Sequence, residues 1–411
     1  NKRIRMQRHN QGQQRRGTFQ TAQGDVDLKG FRRIFFDTTY TRAQVGSVGI
    51  TRTVRRLQEE LQEILPSRVP LQSVAFHSSG YRLVETEAPK SSTRTQEVRD
   101  SQAARLLRWI SESFVRRLAF IWAPLPLLYW TWRVQSAWTF DALTKNAESI
   151  GFAKGDLLLL CDASWCCNAW EAAQLARSQG AKVALLVYDL IPVVQPEFSS
   201  ALTTKIFERW LRQMSDRSDA IMCISEATET DLRAYAAKKG ITLPPTDHFR
   251  LGCDVAHKRA EKAIRTQITR FAASEAPCFA SVGTIEPRKN YGMLLTAFEQ
   301  LWARGNNIRL LILGRPNPDC HELLTRMKRH PEQGNRLLTI FDGTDGELEY
   351  AYSSCRALIL PSLAEGFGLP LVEARSRGCT VIANDLPSFV ELADEGVIFY
   401  RKNSIEELNT L

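Results

Sequence analysis

"RALILPSLAEGFGLPLVEARSRG", residues 356–378, carries the reading from which the fold follows. Its first five residues form an apolar run of strand length, and "LVEARSRG" alternates with the period of a helix. The turn between them contains Gly366 and Gly368, and Pro370 stands near the first position of the coming helix, where no amide hydrogen is required. Glycines there let main chain approach a ligand closely. Glu365 and Glu373 place one carboxylate at each end of this bare loop. A strand that turns through glycines straight into a helix is half of a βα unit.

The same unit recurs on both sides of this stretch. Strands are predicted at 278–283 ("CFASVG"), 308–313 ("IRLLIL"), 337–341, 356–360 and 379–382, interleaved with helices. An earlier series comprises "RRIFFDTTY" (32–40), 71–76, 156–161 ("DLLLLC"), 182–187 ("KVALLV") and 219–224 ("DAIMCI"), each followed by a helix-like stretch. In the first of these helices, Ile50 to Leu65, the residues Val54, Leu57, Leu61 and Ile64 fall at helical spacing. Repeated βα units imply parallel sheets covered on both faces. The expected architecture is α/β, with two doubly wound Rossmann-like domains over 31–253 and 276–411. A charged connection at 254–275 joins them, and a central cleft receives the carboxyl-end loops of both sheets.

With 411 residues, 44% of them hydrophobic, the chain can bury more than one core. Nine cysteines without a C-x-x-C pair fit neither a disulfide framework nor a zinc site, so they read as reduced core residues, Cys166 and Cys167 included. No apolar run reaches the roughly 20 residues of a spanning helix, and no apolar core follows the basic start as in a signal peptide. The net charge of +9 is concentrated at residues 1–20, which hold six Lys or Arg and no acid. Residues 1–30 read as a basic solvated leader, and the absence of interleaved aromatics there speaks against a nucleic-acid partner.

The rhythm breaks at about 91–140. Five of the nine tryptophans, Trp109, Trp122, Trp130, Trp132 and Trp138, fall here, with Ala103, Leu107, Ile110, Phe114, Leu118 and Ile121 on one helical stripe. "LAFIWAPLPLLYWTW" (118–132) is uncharged but carries two prolines. Two readings stand side by side: a helical insertion packed on the first domain, and a helix lying at a membrane surface through 103–138.

A second strand-to-helix turn supplies positive charge. In "VGTIEPRKNYGMLLTAF" (282–298), Gly283 ends a strand and Arg288, Lys289 and Asn290 open a helix. Free amides at a helix start and two fixed cations make an anion site suited to a diphosphate. The amides of Gly366 to Leu369 offer a matching turn. Glu373, one turn into its helix, can accept hydrogen bonds from vicinal hydroxyls such as those of a ribose, while Glu365 faces what lies beyond the phosphates.

Taken together, these motifs give the chain a clear resemblance to the GT-B retaining glycosyltransferases of family four, and among them to mannosyltransferases of bacterial O-antigen and surface-polysaccharide assembly. The likeness spans 31–411. It is carried by "VGTIEPRKN", "FDG" (341–343), "LPSLAEGFGLPLVEA" and "GCTVIANDLPSFVEL", and more loosely by "FFDTTY", "GSVGITRTVRRL" (46–57), "VYDLIPVVQPEF" (187–198) and "SDAIMCISEATETDL" (218–232). The resemblance implies transfer of a hexose with retained configuration, mannose from GDP-mannose in the branch it favours, to a glycan or polyprenyl-linked glycan. It also implies a cytoplasmic enzyme, peripheral at the inner face of the membrane, that uses the sugar nucleotide as substrate and needs no metal or other cofactor.

Residue by residue, it implies that Arg288 and Lys289 hold the diphosphate near Gly283 and Thr284. Glu373 would bind the ribose, and Glu365 with the amides of Gly366, Phe367, Gly368 and Leu369 would hold the sugar. Gly46 and Gly49 would close over the diphosphate from the other domain. Two positions depart from the family pattern: Thr284 stands where many relatives carry arginine, and Tyr188 where many carry histidine. Asp189 is then an acceptor base, a sugar-hydroxyl anchor or a cap for the next helix. Glu365, Asp189, Lys289 and Arg288 are the catalytic candidates. A UDP-sugar donor, or a catalytically silent partner in a polysaccharide assembly complex, are the alternatives. "NSIEELNTL" reads as a helix just under way where relatives continue with further helices, so the chain is expected to lack its last ones; its first residue, Asn1, agrees with a shortened chain.

Overall fold

The computed structural model describes residues 30–44, 49–85, 139–252 and 264–410. The basic leader and most of the Trp-rich stretch lie outside the described residues. Thirteen strands form two sheets among them. The first contains β1 (Arg33–Asp37), β2 (Leu71–His77), β3 (Gly80–Leu83), β4 (Asp156–Leu160), β5 (Lys182–Val187), β6 (Ala220–Cys223) and β7 (Thr246–His248), in the order β3-β2-β1-β4-β5-β6-β7. The second contains β8 (Cys278–Val282), β9 (Arg309–Leu313), β10 (Leu337–Ile340), β11 (Ala357–Leu360), β12 (Thr380–Asn384) and β13 (Val397–Tyr400), in the order β10-β9-β8-β11-β12-β13. All pairings are parallel except β2 with β3.

The apolar runs become strands because both of their faces are covered. Along β9, Leu311 and Leu313 join one core while Leu310 and Ile312 join the core of the opposite face, as the two-residue repeat of a strand requires. Phe35 and Phe36 in β1 divide in the same way. Each such side chain, fully withdrawn from water, contributes about 1.5–3 kcal/mol.

Three expectations need correction. "RRIFFDTTY" is not strand throughout: it ends at Asp37, whose carboxylate accepts hydrogen bonds from the amide and hydroxyl of Thr39 and starts the helix Thr39–Ala43. No helix follows β2; a tight return at Ser78–Ser79 makes an antiparallel hairpin with β3. Strands β3, β7 and β13 have no counterpart among the predicted ones, and all three lie at sheet edges: β3 and β7 are short and half-polar, while β13 is apolar but only partly buried. Of the stretch 254–275, the helix Thr266–Ala272 sits in the second core through Ile268 and Phe271. Arg265 fastens its start to Glu347 and Asp342.

In both sheets the order reverses next to the first strand of its series, between β1 and β4 and between β8 and β11. A crevice opens outside the carboxyl ends at such a point. The loops after β8 and β11 are those singled out from the sequence.

Candidate active site in the interdomain cleft

The loop after β8 is shaped by its hydrogen bonds. The Gly283 amide donates to the Leu313 carbonyl at 3.0 Å, and the Tyr291 hydroxyl donates to the Gly283 carbonyl at 3.0 Å. A short turn, Pro287–Lys289, then delivers Arg288 and Lys289 to the start of the helix Tyr291–Ala303. The loop after β11 is tied to it, with the Leu363 amide donating to the Arg288 carbonyl at 2.7 Å and Arg288 Nη1 donating to the Ala364 carbonyl at 3.0 Å. Asn384, at the end of β12, donates to the carbonyls of Pro361 and Ser362 at 2.9 and 2.7 Å and holds the loop from behind. Gly368 has a φ of +119°, which favours glycine, and leads into the helix Leu369–Arg375.

The two loops and the first domain enclose a cavity of about 260 Å³. Its wall includes Gly49, Tyr188 and Asp189 from the first domain, Gly283, Thr284, Arg288 and Lys289 from one turn, and Glu365, Gly366, Phe367, Gly368, Leu369 and Glu373 from the other. Of the residues selected from the sequence, Gly46 alone lies outside the described residues. Among the described residues, the amides of Gly366, Phe367, Gly368 and Leu369 donate to no protein acceptor.

The charges of the cleft are paired with one another. Glu365 is bound by Arg288 at 2.8 Å, by the Ser362 hydroxyl at 2.7 Å and by Lys289. Burial alone would raise the pKa of Glu365, but Lys289 and Arg288 override it and hold the carboxyl at about 2. Burial lowers the pKa of Lys289 despite its partner. For Arg288, Glu365, Glu286 and Asp189 outweigh burial and push the pKa up, which makes it the permanent cation of the pair. Glu286, 2.6 Å from Arg288, was not anticipated from the sequence.

At the other end of the cavity Glu373 accepts from the Tyr352 hydroxyl at 2.8 Å and forms an ion pair with Arg52. Arg52 belongs to the helix Ile50–Ile64 of the first domain, so this pair crosses the cleft. Sequence reasoning missed both partners, although "GITRTV" sits beside a selected glycine.

Asp189 accepts from the Ile191 amide at 3.0 Å and so caps the one-turn helix Ile191–Val194. Burial raises its pKa, an effect that Arg288 partly offsets. Phe367 adds a feature that its expected amide role did not include: its ring is buried in an apolar cluster with Phe36, Val54, Leu186, Tyr188, Ile224 and Leu251, all of the first domain. Among the described residues, one group of side chains has the spacing of a metal site, Glu229, Asp247 and His248, and none of the three lines the cavity.

The arrangement can therefore grip a linear dianion at its middle and a diol at one end. Residues 265–411 match the family model of glycosyl transferases group 1. The serotype-specific mannosyltransferase WbdA of Escherichia coli is 31% identical over 262 residues, which is 62% of this chain and 32% of that protein. The O-antigen chain mannosyltransferase B of the same organism is 23% identical over 226 residues, covering 54% of this chain and 58% of the relative. The chain thus spans about a third of the length of the first relative. Sucrose-phosphate synthase from Thermosynechococcus elongatus superposes with a TM-score of 0.59 at 15% identity, over 92% of this chain and 88% of that one. The UDP-forming α,α-trehalose-phosphate synthase from Burkholderia vietnamiensis gives 0.56 at 10% identity, over 92% and 90%. Both likenesses concern the fold.

Proposed function

We propose that this chain, which has the GT-B fold and whose residues 265–411 match the glycosyl transferases group 1 model, transfers a hexose from a nucleotide diphosphate donor to a glycan acceptor with retention of configuration. The observation that carries the reading is the convergence of two strand-to-helix turns, two cations, Lys289 buried and Arg288 half-buried, and four unspent amides on one cavity between the domains. The mannosyltransferase relatives favour mannose as the hexose; GDP-mannose and an O-antigen-like or polyprenyl-linked glycan are the donor and acceptor of this proposal.

The diphosphate would take Arg288 and Lys289 over from Glu365. As the glycosidic bond breaks, negative charge grows on the departing phosphate, and a guanidinium, an ammonium and the amides of two helix ends stabilise it without solvent reorganisation. Freed of its cations, Glu365 reaches the hydroxyls of the transferred sugar. The ribose diol would exchange Arg52 for itself on Glu373. Among the described residues, no side chain in the cavity is placed as a covalent nucleophile, so same-face displacement fits best, the departing oxygen taking the acceptor proton. Asp189, engaged as a helix cap, is read as holding the acceptor side in shape. A place at the inner face of the cell membrane accords with a polyprenyl-linked acceptor; no helix among the described residues is long and apolar enough to cross a membrane.

Incubating the full chain with GDP-, UDP- and ADP-sugars and a lipid-linked or free mannoside acceptor tests the reading. Lys289→Ala is expected to lower kcat by about 10²–10³-fold, the usual loss of one charge-stabilising donor. Glu365→Gln is expected to abolish transfer while the melting curve stays cooperative. Undiminished turnover in either variant contradicts the assignment.

A further inference from the structure

We infer that Ser225 and Thr228, in the first domain, are positioning residues that orient the Gly366–Phe367 peptide of the second, so that the donor loop reaches its working geometry only when the two domains are closed. The inference rests on the function proposed above and concerns residues that function did not use.

Ser225 is the N-cap of the helix Glu226–Lys239 and accepts from the Thr228 amide at 3.0 Å. Its hydroxyl also lies 2.6 Å from the Gly366 carbonyl and 2.8 Å from Thr228 Oγ1. Thr228 Oγ1 approaches the carbonyls of Gly366 and Tyr188 at 3.1 and 3.4 Å. Each hydroxyl has one proton to give. The shortest contact assigns the Ser225 proton to Gly366, which leaves the Thr228 proton for the two carbonyls where the domains meet. These backbones touch closely: a Cβ on Gly366 would stand 2.1 Å from the Tyr188 carbonyl oxygen, which excludes any other residue there.

The consequence follows from peptide geometry. The Gly366 carbonyl and the Phe367 amide belong to one rigid trans plane and point in opposite directions. Two hydroxyls that fix the carbonyl therefore fix the amide, and that amide has no protein acceptor among the described residues. The same helix start is braced from the second domain a second time. Glu391 accepts from the amides of Ala227 at 2.8 Å and Glu226 at 3.3 Å, a carboxylate at the positive end of a helix. The first three amides of this helix are thus all satisfied, two of them by the opposite domain. Ser225 and Thr228 are buried, so neither hydroxyl has water as an alternative partner in the closed form. When the domains part, Gly366 loses both donors and its peptide plane is free to turn.

Three variants of the full chain test this. Thr228→Val keeps shape and removes one proton donor, Thr228→Ser keeps the donor, and Ser225→Ala/Thr228→Val removes both. Misplacing a binding group by about 1 Å costs about 100-fold in rate, so the double variant should lose that much kcat. Its Kd for GDP should be nearly unchanged, and Thr228→Ser should retain most of the wild-type kcat. Hydrogen exchange reads the same contact without turnover: amides in 363–369 should exchange faster in the double variant than in the wild type. Equal kcat in the double variant and the wild type, a GDP Kd that weakens in step with kcat, or unchanged exchange in 363–369 would each overturn the inference. A wild-type chain inert toward every sugar nucleotide would instead count against the proposed function and leave the exchange result standing.

Discussion

At the scale of single residues, Glu373 shows how a site can be visible in sequence and still be described incompletely. Its spacing from Glu365 and its place one turn into a helix suggest a diol ligand. The Tyr352 hydroxyl and the Arg52 guanidinium that engage it come from distant segments, which no local pattern brings together. On the proposal that Glu373 binds the ribose, Glu373→Ala should raise the donor KM by about 10-fold, the worth of a hydrogen bond to a charged group, and change kcat little. Steady-state kinetics over a donor series checks this; a loss confined to kcat would place the nucleoside elsewhere. Asn384 belongs with the unforeseen residues as well. It donates to two carbonyls of the loop after β11, and an asparagine ending a strand gives no sequence signal of that task.

Among elements, the short helix Thr39–Ala43 is held in an unusual way. Asp37 at the end of β1 binds Thr39, and Asp162 after β4 accepts from the Thr41 amide at 2.7 Å and the Thr41 hydroxyl at 3.1 Å. Both carboxyls are buried beside Tyr81, Tyr40, Cys161, Cys166 and Cys167. Burial, reinforced by Asp162, pushes Asp37 up to about 7, and burial pushes Asp162 up to about 6. The folded chain therefore binds protons that the unfolded chain releases above pH ~4, and this stabilisation is lost as pH rises through ~7. Melting temperatures taken from pH 5 to 8 should fall across that range, and Asp37→Asn, which keeps the acceptor and drops the charge, should flatten the slope. An identical slope in wild type and variant would show that the pair does not titrate there. The strand content of this region was legible because β1, β4 and β5 are apolar runs; the helix was not, because Thr39–Ala43 owes its start to an aspartate that reads as part of the strand.

Across the whole molecule, the two-domain α/β plan follows from the βα rhythm, and the meeting of thirteen selected residues in one cavity follows from the two points where strand order reverses. What lies between the domains was not legible, since Phe367 in its first-domain cluster and Glu391 at a first-domain helix start are contacts between segments far apart in sequence. Because side-chain cations are proposed to supply the counter-charge, transfer should persist in excess EDTA; activity restored only by added Mg²⁺ or Mn²⁺ would place a metal in the reaction. The pairing of Arg288, Lys289 and Glu373 with partners inside the cleft has a kinetic consequence. Arg288 and Lys289 already own a carboxylate, as Glu373 owns a guanidinium, so the cleft carries its own competitor for the proposed nucleotide. In the proposed reaction, a spent diphosphate would be expelled by the return of these internal partners, and the cleft would reset for the next turnover without leaving a bare charge behind.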